Sequence, residues 1–189
     1  MSNGGIDELI QDATRRMDKS VESTQVEFNT IRTGRASAAL LDRITVQYYG
    51  QPMPLKQLAT INVPEPRLLT VQPFDPSSIK DIERAIQESD LGLTPNNDGQ
   101  IIRLQLPELT EERRKQLVKV VRGLTEEGKV ALRNIRRDVM HDLKELKDAG
   151  EAGADDEHRA EDALQKLTND KVAELDAVLK AKEAEITEV

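Results

Sequence analysis

The sequence predicts an α+β protein, an elongated three-helix bundle with a small, β-rich α/β domain inserted into it. Three observations support this. Three long stretches carry apolar residues three and four apart, which is the helical period. Between the first and second of these lie short β-branched runs bounded by prolines. Aromatic residues make up only 2% of the 189 residues (Phe28, Tyr48, Tyr49 and Phe74, with no Trp), so the core must rely on Leu, Ile, Val and Ala, as helix bundles do.

The first helix is expected from about Gly5 to Ile31, with Ile6, Ile10, Ala13, Met17, Val21, Thr24, Phe28 and Ile31 on one stripe. The second is expected from about Thr110 to Asp148, with Thr110 as N-cap and acids in the first turn. Its stripe is Leu117, Val121, Leu124, Ala131, Leu132, Ile135, Val139 and Leu146. The third is expected from about Asp155 to Thr187, with Leu164, Leu167, Val172, Leu175, Val178, Leu179 and Ile186 facing inward. Gly150 and Gly153 fall in the short polar link between the last two helices, which makes that pair antiparallel. A second helix roughly 55 Å long and this polar is unstable alone, so the three stripes must cover one another.

The inserted segment reads as strands at 44–49, 59–63, 67–71 and 101–106. A short helix begins at Ser77 or Ser78 and carries Ile79, Ile82 and Ile86. Gly50-Gln-Pro-Met-Pro54 and Asn96-Asn-Asp-Gly99 read as turns. One of the two adjacent tyrosines, Tyr48 and Tyr49, should face a core, because strand side chains alternate. The expected domains are residues 1–32 with 107–189 (the bundle) and 33–106 (the insertion). Thr33, Gly34, Leu106 and Pro107 form the two connectors and the expected hinge, since two short links usually permit relative motion.

Catalytic chemistry finds no candidates. There is no Cys, hence no thiolate metal site or Cys nucleophile. His141 and His158 read as solvated helix residues without a partner acid at ligand spacing, and no phosphate-cradling glycine loop occurs. Asp155, Asp156 and Glu157 lack the spacing of a calcium loop and read as a solvated helix start. No enzyme, cofactor or metal is expected. No apolar run is long enough for a membrane span and no signal-peptide profile is visible, so a cytoplasmic protein is expected.

The charge is polarised. The net charge is −8, yet Arg113–Arg137 holds nine basic residues against two acids, and Asp148–Val189 five against thirteen. At about 100° per residue, Lys115, Lys119, Arg122, Lys129, Arg133, Arg136 and Arg137 form one ridge away from the apolar stripe, with Glu126 the single acid on it. A merely solubilising face mixes signs. A one-signed ridge repels itself and fits a polyanion, for which arginine offers planar, bidentate contacts. RNA is preferred to DNA, because no DNA-reading module or dimeric half-site logic is visible, and a monomer is expected.

Ile31-Arg-Thr-Gly-Arg-Ala-Ser37, Tyr48-Tyr-Gly50, Asp90-Leu-Gly-Leu93, Leu109-Thr-Glu-Glu-Arg-Arg-Lys115, Arg133-Asn-Ile-Arg-Arg-Asp138 and Leu164-Gln-Lys-Leu-Thr168 follow one another along the chain. Together they resemble the bacterial ribosome recycling factor family over essentially its whole length. The segment Met1-Ser-Asn-Gly-Gly5 looks a little longer than in some members.

The resemblance implies an L-shaped, tRNA-like outline. It also implies binding to the post-termination 70S ribosome and splitting into subunits with elongation factor G and GTP. Large-subunit rRNA contacts would fall on Arg133, Arg136 and Arg137, and on Arg32 and Arg35. The basic segment adds Arg113, Arg114, Arg122 and Lys129 as RNA-binding candidates, with Arg32, Arg35, Arg113, Arg114 and Arg122 secondary to Arg133, Arg136 and Arg137. The alternatives are an rRNA-binding factor that occupies the ribosome without splitting it, and a coiled-coil interaction protein.

Overall fold

The computed structural model describes residues 4–187, so Met1, Ser2 and Asn3 of the N-terminal segment lie outside it. Along the chain run helix α1 (Gly4–Asn29), strands β1 (Thr45–Tyr48) and β2 (Gln51–Pro54), and the single-turn helix α2 (Leu55–Leu58). Strands β3 (Ala59–Glu65) and β4 (Leu68–Pro73) and helix α3 (Ile79–Gln87) follow. Strands β5 (Pro95–Asn97) and β6 (Ile102–Gln105) precede the long helices α4 (Glu111–Asp148) and α5 (Ala154–Thr187). The chain divides into two compact units, Met1–Arg32 with Glu111–Val189, and Thr33–Thr110. Residues 107–110, assigned with the helices from sequence, thus fall in the second unit.

The first unit packs α1, α4 and α5 around Met17, Leu132, Val139, Leu164 and Leu175, all fully buried. On α4 the buried line is Leu117, Val121, Thr125, Gly128, Leu132, Ile135, Val139 and Leu143. This corrects the expected stripe, because Leu124 and Ala131 are only half-buried while Thr125, Gly128 and Leu143 lie inside. The buried threonines are satisfied within their own helices. Thr125 Oγ1 donates to the Val121 carbonyl at 2.9 Å and Thr168 Oγ1 to the Leu164 carbonyl at 2.8 Å.

α4 ends in a Schellman motif. Gly150 takes φ +74°, its N–H donates to the Lys147 carbonyl, and the Glu151 N–H reaches the Leu146 carbonyl, both at 2.9 Å. The link is short enough to send α5 back along α4. Lys147 Nζ also reaches Glu157 Oε2 at 3.1 Å. Glu157, expected to be solvated, is therefore buried beneath the turn, where its partner offsets the burial of its charge.

The second unit holds an antiparallel sheet of order β3-β4-β6-β5 and a separate β1-β2 hairpin. Alternation sets its core. Ile102 and Leu104 of β6 and Leu69 and Val71 of β4 are fully buried, and Ile79, Ile82 and Ile86 of α3 belong to the same core. Each such side chain stabilises the fold by about 1.5–3 kcal/mol.

Two expected turns are partly strand. Gln51–Pro54 pairs with β1, and Pro95–Asn97 with β6. Pro52 and Pro54 are tolerated because a two-stranded hairpin leaves one side of each strand without ladder bonds to make. The two-residue loop Tyr49-Gly50 has φ +49° and +75°, the signature of a type I′ turn. Tyr48 is the half-buried tyrosine, donating its hydroxyl to Asp75 Oδ2 at 2.9 Å, while Tyr49 is 78% exposed.

Leu106, one of the expected connectors, is buried in the core of this second unit, and its N–H donates to the Arg67 carbonyl at 2.8 Å. Gly34 does adopt the left-handed region, at φ +79°. A Cβ there would also stand 3.2 Å from Leu109 Cγ.

Candidate nucleic-acid interface

The α4 ridge divides into a crest and a flank. Arg133, Arg137 and Lys119 are exposed and form no ion pair or hydrogen bond among the described residues. They are the crest. Lys115, also exposed, has Glu111 of its own helix at 3.5 Å as its one ion-pair partner among the described residues. Lys144 stands 11 residues, about three turns, beyond Arg133 and extends the same exposed arc. In the sequence it lies beyond the one-signed segment Arg113–Arg137, among Asp138, Asp142 and Glu145, which masks it.

The flank leans on α5. Arg122 Nε donates to Glu183 Oε1 at 2.7 Å. Lys129 Nζ lies 2.8 Å from Asp176 Oδ1 and 3.6 Å from Glu126, and its side chain is only 17% exposed. The Asp176 carboxylate holds the Lys129 ammonium above its usual pKa range, so the lysine stays charged but is balanced within the bundle. Arg136 Nη1 donates to Gln165 Oε1 at 2.6 Å. Helical periodicity assigns these cations to a face but cannot say which α5 side chains meet them.

The remaining candidates sit elsewhere. Arg113, at the start of α4, donates to Gln116 Oε1 at 3.3 Å, and Arg114 is half-buried. Arg32 is exposed just after α1, and Arg35, also exposed, belongs to the second unit.

Acids gather at one end of the bundle. A cleft of about 720 Å³ near the α4 C-terminus is lined by Glu8, Asp12, Asp142, Glu145 and Glu151, with Arg15 the one cation there. The acids at that cleft make it an unfavourable place for a polyanion.

The histidines are exposed, but each has acids on its own helix, which corrects the expectation of none. His141 Nε2 lies 3.1 Å from Glu145, and His158 lies near Glu161 and Asp162. No group of three or more metal-ligating side chains gathers among the described residues. No described helix is long and apolar enough to cross a membrane.

A family model for ribosome recycling factor matches residues 24–187. The ribosome-recycling factor of Rubrobacter xylanophilus is 57% identical over 180 residues, covering 95% of this chain and 97% of that protein. The chain belongs to the ribosome recycling factor family. Its role is therefore ribosome recycling in protein biosynthesis.

The ribosome-recycling factor of a Synechocystis species is 56% identical over 173 residues, covering 92% of this chain and 95% of that one. A solution structure of a ribosome recycling factor aligns over 100% of both chains, with TM-score 0.73 and 40% identity. The T. thermophilus ribosome recycling factor, in models with E. coli elongation factor G bound to the E. coli post-termination complex, aligns with TM-score 0.62 and 45% identity. That match covers 96% of this chain and 98% of the other.

Proposed function

We propose that the chain acts mechanically and without an active site of its own, docking its crest on large-subunit rRNA while elongation factor G supplies the energy of GTP hydrolysis. The observation that carries this is the crest itself. Arg133 and Arg137 are exposed and have no ion pair or hydrogen bond among the described residues, in a chain of net charge −8, so their charge has no internal use there. Arg136 adds a guanidinium held beside them, with Lys119 and Lys144 as further point charges. The relative described in models with elongation factor G bound to the post-termination complex supports that factor and the 70S ribosome as partners. A monomer working in the cytoplasm fits this role.

Light scattering decides the matter. Purified post-termination 70S ribosomes, given the chain with elongation factor G and GTP, are expected to lose scattering as subunits separate. Binding without that loss would indicate a factor that occupies the ribosome without splitting it. No co-sedimentation with ribosomes at moderate salt would overturn the RNA-docking reading as well.

A further inference from the structure

Arg122, Lys129 and Arg136 lie seven residues apart on α4 and form one line facing α5. In the antiparallel α5 the partners of the first two, Glu183 and Asp176, are also seven apart. The next step of seven from Asp176 is Asn169, which is not a carboxylate. There Arg136 Nη1 meets Gln165 Oε1 at 2.6 Å, and Gln165 Nε2 donates to Asn169 Oδ1 at 2.9 Å. A ladder of two ion pairs thus ends in two neutral amides opposite Arg136.

We infer that α5 selects which flank cations meet RNA: Gln165 is a positioning residue that presents Arg136 with its charge intact, while Glu183 and Asp176 hold back Arg122 and Lys129. This rests on the reading of the ridge as the RNA-facing surface. A glutamine carbonyl takes one of the five guanidinium N–H donors and leaves four, enough for a bidentate phosphate contact. The Gln165–Asn169 bond fixes the amide so that its oxygen, not its nitrogen, faces the arginine. Holding a rotamer-rich side chain in place beforehand lowers the ordering cost of docking.

The carboxylates act in the opposite sense. A phosphate approaching Arg122 must compete with Glu183, already 2.7 Å from Nε, and Lys129 is only 17% exposed. The effect is selectivity. A bundle with all its cations uncompensated would bind any RNA, since non-specific affinity rises with the number of neutralised phosphates.

The test uses the full chain, titrated onto purified large ribosomal subunits and onto an unrelated RNA duplex at several salt concentrations. Gln165→Glu completes the carboxylate ladder. It is expected to weaken subunit binding about tenfold, the scale of one charge-assisted contact. The log–log salt slope should become shallower by about one. Gln165→Leu, which removes the acceptor but adds no charge, should weaken binding a few-fold, roughly, and keep the slope. Glu183→Gln should release Arg122, steepen the slope by about one and tighten binding to the unrelated duplex. An unfolded variant cannot mimic that gain.

Wild-type affinity and slope for both Gln165→Glu and Glu183→Gln would overturn the inference. Arg133→Ala, run in parallel, separates the two levels. If it weakens binding while the α5 variants do not, only the selection by α5 fails. If it too is silent, the ridge reading fails.

Discussion

Gly128 of α4 lies directly against Thr24 of α1, so close that a Cβ on Gly128 would stand 2.8 Å from Thr24 Oγ1 and 3.1 Å from Leu175 Cδ1 of α5. All three helices meet at this point, and only a hydrogen fits between them. Two effects oppose each other in Gly128→Ala. Alanine gains up to about 1 kcal/mol of helix propensity, but overpacking a tight core costs about 1–3 kcal/mol. The contact should win, with a net loss of up to about 2 kcal/mol. A lower denaturant midpoint checks this, and Thr24→Ala in the same chain should recover part of the loss. Gly123 has nothing within 4 Å of its Cβ position, so Gly123→Ala should stabilise by up to about 1 kcal/mol. Equal signs at the two glycines would contradict the packing argument.

Tyr49 holds φ +49° in the type I′ turn while standing 78% exposed. A bulky side chain in the left-handed region is strained by roughly 1 kcal/mol, whereas asparagine favours that position before glycine. Its edge-to-face contact with Tyr48, at a ring-centroid distance of 4.6 Å, offsets some of this. Tyr49→Asn should therefore raise stability by a few tenths of a kcal/mol to about 1 kcal/mol in chemical denaturation. A clear loss would mean that the ring contact outweighs the backbone strain.

Asp98 accepts hydrogen bonds from the backbone N–H groups of Ile101 and Gln100 and pairs with Arg103, which together hold its pKa down to about 2. The unfolded value is about 3.9. A depressed carboxyl stabilises the fold fully above its unfolded pKa, and that contribution is lost as pH falls from about 4 toward 2. Wild type should lose stability across that window, and Asp98→Asn should lose less of it. Melting temperatures measured between pH 5 and pH 2 provide the check, and parallel curves for the two proteins would refute the assignment.

Much of this architecture is legible in the chain. The three long helices follow from apolar spacing, and Gly150 marks a turn because few residues accept its φ of +74°. The α4 stripe runs through Thr125 and Gly128 and not Leu124, because these two buried residues interrupt the apolar pattern from which a stripe is read. Thr125 hides its hydroxyl in a bond to Val121, and Gly128 offers no side chain to count. Strand β2 was hidden by its prolines, which a hairpin edge tolerates.

The basic ridge was visible from periodicity, whereas its division into crest and flank was not. That division depends on Glu183, Asp176 and Gln165, which lie 29–61 residues away in sequence from the cations they meet. Lys129 reads as an RNA contact in the sequence, and in the structure it also bridges two helices through Asp176.

The crest and flank should therefore separate binding from stability. Arg133→Ala with Arg137→Ala removes two exposed cations that have no partner among the described residues, so the melting temperature should stay within about 2 °C of wild type. Ribosome affinity should fall between about tenfold and a hundredfold, with the salt slope shallower by about two. Lys129→Ala reverses the pattern. It breaks the 2.8 Å contact with Asp176, costing about 0.5–1 kcal/mol for a partly exposed pair, and leaves ribosome affinity close to wild type. Sedimentation with 70S ribosomes across a salt series, beside thermal melts of each variant, measures both quantities. Loss of binding in Lys129→Ala without loss of stability would place that lysine on the RNA surface after all.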